Sequence, residues 1–119
     1  MALTQKRLVG PTQLTTTTST VLYTVPQNKT TIVKQIVLCN TTASAVTVTM
    51  VLKPLNVAQA SSQNFFNSLS IAANETLTFQ TSMVLDNNGS EATAANSDQI
   101  IGSASSNSAV NVFVYGLEE

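Results

Sequence analysis

Histidine and tryptophan are missing from this 119-residue sequence, cysteine occurs once, and only 9% of its residues are charged. Each shortage excludes something. Without histidine there is no Ser-His-Asp or Cys-His catalysis, and no His-liganded zinc or haem. The lone cysteine, Cys39, makes neither an internal disulfide nor a thiolate metal cluster. It lies in an apolar stretch with no base beside it, and reads as a small buried hydrophobe. A formal charge of −1 gives no electrostatic reason to bind nucleic acid. No apolar run approaches the roughly 18 residues of a membrane-spanning helix. The opening residues Met1 to Leu8 lack the apolar centre of a secretory signal, so the chain is expected to fold in the cytoplasm where it is made.

What remains is a chain of one domain's length, 43% hydrophobic, whose polarity comes from Thr, Ser, Asn and Gln. Ordinary globular chains carry roughly 25% charged residues. The charges present are sorted by sign along the sequence. Lys6, Arg7, Lys29, Lys34 and Lys53 all precede residue 54; Glu75, Asp86, Glu91, Asp98, Glu118 and Glu119 all follow residue 74. Intramolecular sheet pairing is able to mix the two halves completely. Otherwise they form opposite poles that orient neighbouring subunits.

The candidates for chemistry are thin. No local motif supports a Ser–Lys dyad. Asp86, Glu91 and Asp98 imitate a glycosidase carboxylate pair only if folding sets two of them about 5–10 Å apart. The stretch from Asp86 to Glu91 has oxygen ligands at close spacing but departs from the EF-hand pattern, and reads as an Asx turn. The four Asn-X-Ser/Thr sites at Asn28, Asn40, Asn74 and Asn88 arise by chance in so Asn- and Thr-rich a chain. No catalytic, cofactor-binding or metal-ligating residue is assigned.

The pattern along the chain is that of short strands. Residues 1–19, with a Gly10-Pro11 break and a tract of four threonines from Thr15, read as an extended arm ahead of a domain spanning 20–119. A frayed tail or an ordinary edge strand is the plainer alternative, and an arm that lies on a neighbouring subunit and orders on assembly is the sharper one. Thr20 to Val25 is β-branched and aromatic, and Pro26 to Asn28 turns it. Thr30 to Asn40 would reach about 36 Å fully extended, so a bend or bulge is expected at its polar pair, Lys34-Gln35. In the strand 45–53, Val46, Val48, Met50 and Leu52 form one face. After the irregular stretch from Pro54, strands are expected near Leu69–Ile71, Glu75–Gln80, Met83–Leu85, Gln99–Gly102 and Val110–Tyr115. Most of the six aromatics are expected in the core. Phe65-Phe66 is the exception, because adjacent rings on an extended chain point to opposite sides. Seven or eight such strands indicate an all-β antiparallel sandwich, jelly-roll-like in topology.

The run Leu22-Tyr-Thr-Val-Pro26 with Thr30-Thr-Ile-Val33, then Leu38-Cys-Asn-Thr-Thr-Ala43 and Val46-Thr-Val48, resembles small virion proteins of tailed bacteriophages. Asn74-Glu-Thr-Leu77 and Val112-Phe-Val-Tyr-Gly116 belong to the same pattern, which covers about residues 20 to 117. The family's Gly-Asp before the Ile strand is Ser97-Asp98 here. The resemblance implies a non-enzymatic β-sandwich subunit of a virion, folded in the host cytoplasm and located on the capsid or in the tail or neck. A capsid decoration (cement) protein is the first expectation, binding copies of itself and a major capsid or tail protein, without nucleic acid or membrane. Fold analogy favours trimers. The interface residues expected are Lys6, Arg7 and Leu8 on the arm, and Phe65 and Phe66 as an aromatic anchor. A carbohydrate- or receptor-binding module is the alternative from another class, though no tryptophan is present to stack on sugar.

Overall fold

The computed structural model describes residues 3–26, 28–54, 57–86 and 97–119. Eight strands follow in chain order: β1 (Thr4–Gln13), β2 (Val21–Thr24), β3 (Thr30–Asn40), β4 (Val46–Lys53), β5 (Asn64–Ile71), β6 (Thr76–Asp86), β7 (Gln99–Ala104) and β8 (Val110–Glu118). They make two four-stranded antiparallel sheets. One has the order β1-β8-β3-β6 and the other β2-β7-β4-β5. Except for the β4–β5 pair, each strand crosses to the sheet opposite its predecessor. This is the eight-stranded jelly roll, and the fold expected from the sequence is the fold observed.

Alternation decides which side chains meet between the sheets. From the first sheet come Val33, Ile36, Leu38, Val110, Val112 and Val114; from the second come Val48, Met50 and Ile100, all essentially buried. The inward face expected on β4 is present from Val46 to Met50, while Leu52 is half-buried against the core. Each such aliphatic side chain contributes about 1.5–3 kcal/mol on burial. The core is aliphatic rather than aromatic. Tyr23, Phe65, Phe66 and Phe79 pack on its flanks, and Phe113 and Tyr115 take the outward positions of β8. Their valine neighbours hold the inward ones. Cys39 is likewise half-buried on the outer face, a correction to its expected burial, because Leu38 and Asn40 point inward.

The long β3 is irregular where expected. Its pairing with both β6 and β8 shifts register between Val33 and Gln35. Buried positions run Thr31, Val33, then Ile36, Leu38, so the inward set changes parity across Lys34-Gln35. A polar pair accommodated in a bulge keeps apolar residues inward on both sides of it. On β6 the segments expected separately, ending at Gln80 and starting at Met83, join as one strand.

The N-terminal segment takes the plainer of its two readings, the ordinary edge strand. Thr4–Gln13 is the edge strand β1, paired along β8 from Thr4 opposite Glu118 to Gln13 opposite Asn111. Val9 and Leu14 are core residues. Gly10 sits at φ +100°, and a Cβ there would run into the Val112 carbonyl, so glycine is required for this close approach.

One end of the sandwich is tied by a buried amide. Asn40 closes β3 and is fully buried. Its Nδ2 donates to the carbonyls of Ser44, Ile71 and Ala72 at 2.8–3.2 Å, and its Oδ1 accepts from the Thr42 N–H and hydroxyl. The β3–β4 and β5–β6 turns are thereby held by one side chain. Asn40→Ala leaves several of these groups without a partner. We expect a loss of about 3 kcal/mol and a fall in Tm of roughly 10 °C, read by thermal denaturation; a change under about 1 kcal/mol would show that the turns hold without it.

Candidate functional site

The residues singled out in the sequence fall on opposite flanks. Lys6, Arg7 and Leu8 lie on β1, at the edge beside β8, whereas Phe65 and Phe66 lie on β5, at the edge beside β4. The fold does not bring the two groups together.

On the β1 flank, Leu8 is half-buried against the core. Lys6 Nζ donates to Glu118 Oε1 at 2.9 Å. Pairing of β1 with β8 brings the chain's basic start against its acidic end, so the sorting of charge by sign in the sequence is not kept in space. The charges sort by position instead. Lys29, Lys53, Asp86, Asp98, Glu118 and Glu119 gather at the end of the sandwich where β3 begins and β8 finishes. At the Asn40 end, among the described residues, Glu75 is the one charged side chain; the turns there are Thr, Ser, Asn and Ala.

At the charged end, Tyr23 links the sheets. Its hydroxyl donates to Glu118 Oε2 at 2.9 Å, and Thr31 Oγ1 lies 2.8 Å away. The single phenolic proton goes to the carboxylate, so Thr31 is the donor in the second bond. Burial, and then the adjacent Glu118, push the Tyr23 phenol up to about 12 against the lowering effect of the Thr31 bond. Glu118 is held below the usual carboxylate range, first by Lys6 and then by Tyr23, against its own burial.

On the other flank, the two edge strands β5 and β6 lie side by side and leave a groove of about 240 Å³ between the sheets. It is lined by Ile36, Phe65, Phe66, Phe79, Gln80, Thr81 and Met83. The ring centroids of Phe65 and Phe66 are 5.0 Å apart, and those of Phe66 and Phe79 are 4.7 Å apart, all tilted. Adjacent residues of a regular strand would face opposite sides. Here Met50 pairs with Phe66 and Val51 with Asn64, so β5 carries Phe65 as an extra residue. The bulge brings both rings to one side, and both are half-buried.

The outer face of the first sheet is the third surface. Register places Leu117, Ile32 and Val84 in one row across β8, β3 and β6, and Phe113, Val37 and Thr78 in another. Between them runs a row of Arg7, Tyr115, Gln35 and Gln80. A shallow depression here of about 480 Å³ is bordered by Lys6, Arg7 and Lys34, with Tyr115 and Leu117 in its wall. Val84 is 57% and Tyr115 38% exposed. Sequence reasoning missed this face because it took β8's aromatics for core. The signal was available: in Val110-Asn-Val-Phe-Val-Tyr115, the three valines share one parity.

Among the described residues no group of three or more Cys, Asp or Glu side chains is placed to hold a metal ion. The candidate cation loop after Asp86, and Glu91 with it, lie outside the described residues. Asp86 and Asp98 are joined directly. The Asp86 N–H donates to Asp98 Oδ2 at 2.9 Å, and the Asp98 N–H to the Asp86 carbonyl at 3.0 Å.

No protein-family model matches the chain, and the search of curated proteins found no match. Two solved structures of the tobacco streak virus coat protein are similar to it. The dimer structure aligns over 98% of this chain and 82% of its own, at 8% identity and a TM-score of 0.42. A second crystal form aligns over 98% and 83%, at 9% identity and a TM-score of 0.43. These structural neighbours are viral coat proteins.

The Tyr23 link sets a testable pH dependence. A phenol raised in the folded state adds stability that is complete below its ordinary value of 10.0 and is lost as pH climbs towards about 12. Glu118, lowered in the folded state, adds stability above the ordinary carboxylate range that is lost as pH falls through its lowered value. Tyr23→Phe is expected to cost about 1–2 kcal/mol at neutral pH. In urea titrations the variant should also lose less stability than the wild type between pH 10 and 12. Equal losses would remove Tyr23 from the alkaline transition.

Proposed function

We propose that this chain is a non-enzymatic structural subunit of a virion, acting as a decoration or cement protein on the capsid of a tailed bacteriophage. It works through contacts with copies of itself and with a major capsid protein. The observation that carries this reading is the outer face of the first sheet. Rows of half-exposed apolar and aromatic side chains there run across three strands, beside a groove lined by three phenylalanines. Apolar side chains set out in rows and bordered by polar ones are a feature of protein–protein contact surfaces. The jelly roll is an architecture of viral capsid and lectin domains alike, and the resemblance of residues 20–117 supports the phage particle. A tail or neck subunit is the same proposal at another address, with a tail protein as partner.

A carbohydrate- or receptor-binding reading has one observation in its favour. A shallow depression on the second sheet is lined by polar side chains including Thr18, Thr49, Gln59, Ser61, Asn64 and Ser103. No ring borders it to stack on a sugar, so we place this reading second.

Purified protein added to undecorated capsids is expected to bind stoichiometrically and raise their resistance to heat. Absence of binding, with recovery of the protein in purified tails, would replace capsid by tail. Hits on a glycan array, without binding to either, would favour the second reading.

A further inference from the structure

A sheet edge presents unpaired backbone donors and acceptors, and proteins guard such edges with charge, proline, bulges or shortness. Three of the four edges here are guarded. β1 carries Lys6, Arg7 and Pro11 and two register shifts. β2 is only four residues long and shifts once. β5 has two shifts and a left-handed residue, Ser68, at φ 52°. β6 is different. It is eleven residues long, with neither charge nor proline from Thr76 to Leu85. Its in–out alternation is unbroken across its single register shift, where Lys34 Nζ donates to Ser82 Oγ. The bonds between Asp86 and Asp98 occupy its last residue, and among the described residues no strand pairs with the outer side of Leu77 to Leu85.

We propose that β6 pairs antiparallel with β6 of a second copy, about a two-fold axis at Thr81, joining the two first sheets edge to edge. The sequence of the strand is self-complementary in this register. Leu77 falls opposite the partner's Leu85 and Phe79 opposite the partner's Met83, on the inner side. Thr78 falls opposite the partner's Val84 and Gln80 opposite the partner's Ser82, on the outer side. Every pair keeps one face, as a sheet requires, and no like charges meet. Phe79 and Met83 also line the groove, so the same contact closes the grooves of both copies with a sulfur–aromatic pair on each side of the axis.

The area is sufficient. Nine paired residues span about 30 Å, and the molecule's shortest dimension is 20 Å. A strip of that size is about 600 Å² per copy, near the roughly 1,200 Å² total of the smallest stable interfaces. A second copy suits this edge better than an unrelated strand, because the strand's own pattern supplies the matching inner and outer residues. The result is a two-fold pair, in place of the trimer favoured by fold analogy. It goes beyond the virion reading and does not depend on it.

The test uses the exposed positions that the register sets opposite each other. Sedimentation equilibrium of the wild-type chain over a wide concentration range should give a dimer. Thr78→Lys combined with Val84→Lys places like charges across from one another on both sides of the axis. It should weaken dimerisation by roughly tenfold or more with an unchanged β-type circular dichroism spectrum. Thr78→Glu combined with Val84→Lys places opposite charges there and should restore the dimer. A wild-type monomer, or an oligomer indifferent to both pairs of substitutions, would overturn the proposal. If that same monomer still bound capsids, the virion reading would stand without it.

Discussion

The seam between β3 and β8 is the pairing on which the rest of this molecule depends. These strands occupy the middle of the first sheet, where β1 pairs with β8 and β6 with β3. Between Val33 and Leu38 on one strand and Val110 and Val114 on the other, the inward positions are filled by aliphatic side chains with almost no exposure. Side-chain period in a strand is two, so fixing these residues inward fixes every neighbour outward. That single constraint puts Val37, Phe113, Tyr115 and Leu117 on the outer face. The surface read above as a contact face is therefore the other side of the core, set by the same register. The bulge at Lys34-Gln35 changes the parity of β3 without emptying the core, and puts a lysine at the bend.

The parts legible in the sequence are those governed by local pattern. Thr30–Asn40 is bounded by turn residues and has a polar pair where the strand must bend, and both its limits and its irregularity were readable. The inward face of β4 was readable because Val46, Val48 and Met50 alternate with threonine. Reading failed where the deciding contact is distant. Thr4–Gln13 has little apolar content of its own and becomes a strand because β8 offers it an edge. Lys6 finds Glu118, 112 positions away, only through that pairing. Asn40 looked like an ordinary turn residue, and its five hydrogen-bonding partners come from two turns that the fold alone brings together. Phe65 and Phe66 were expected to part, and a bulge against Met50 and Val51 sets them side by side.

Local pattern also explains why the groove was half visible. Two adjacent phenylalanines in an uncharged stretch are conspicuous, but Phe79 and Met83 look like routine strand residues. Their role depends on β5 and β6 being the edges of opposite sheets on one flank, which follows from the strand order and not from either segment. The basic residues beside Tyr115 are a similar case. Arg7 and Lys34 are 27 positions apart in sequence, and β8 between them sets both around one depression.

The shortage of charge then has a physical consequence for contact. Covering an ionised side chain costs several kcal/mol unless it is paired, whereas covering a hydroxyl costs less and is offset by a single hydrogen bond. A sandwich whose outer strands alternate Thr, Ser, Gln and Asn with half-exposed Val, Ile and Phe stays hydrated when alone. It also loses little when a neighbour displaces that water. Concentrating most of the charges at one end, where Lys6 and Glu118 neutralise one another, leaves most outward positions of the two sheets uncharged and open to this exchange. Had the eleven charges been spread evenly over both sheets, as in an ordinary globular chain, every flank contact would carry the desolvation of at least one of them. The sorting of charge by position, more than its low total, is what makes these faces suited to repeated contact.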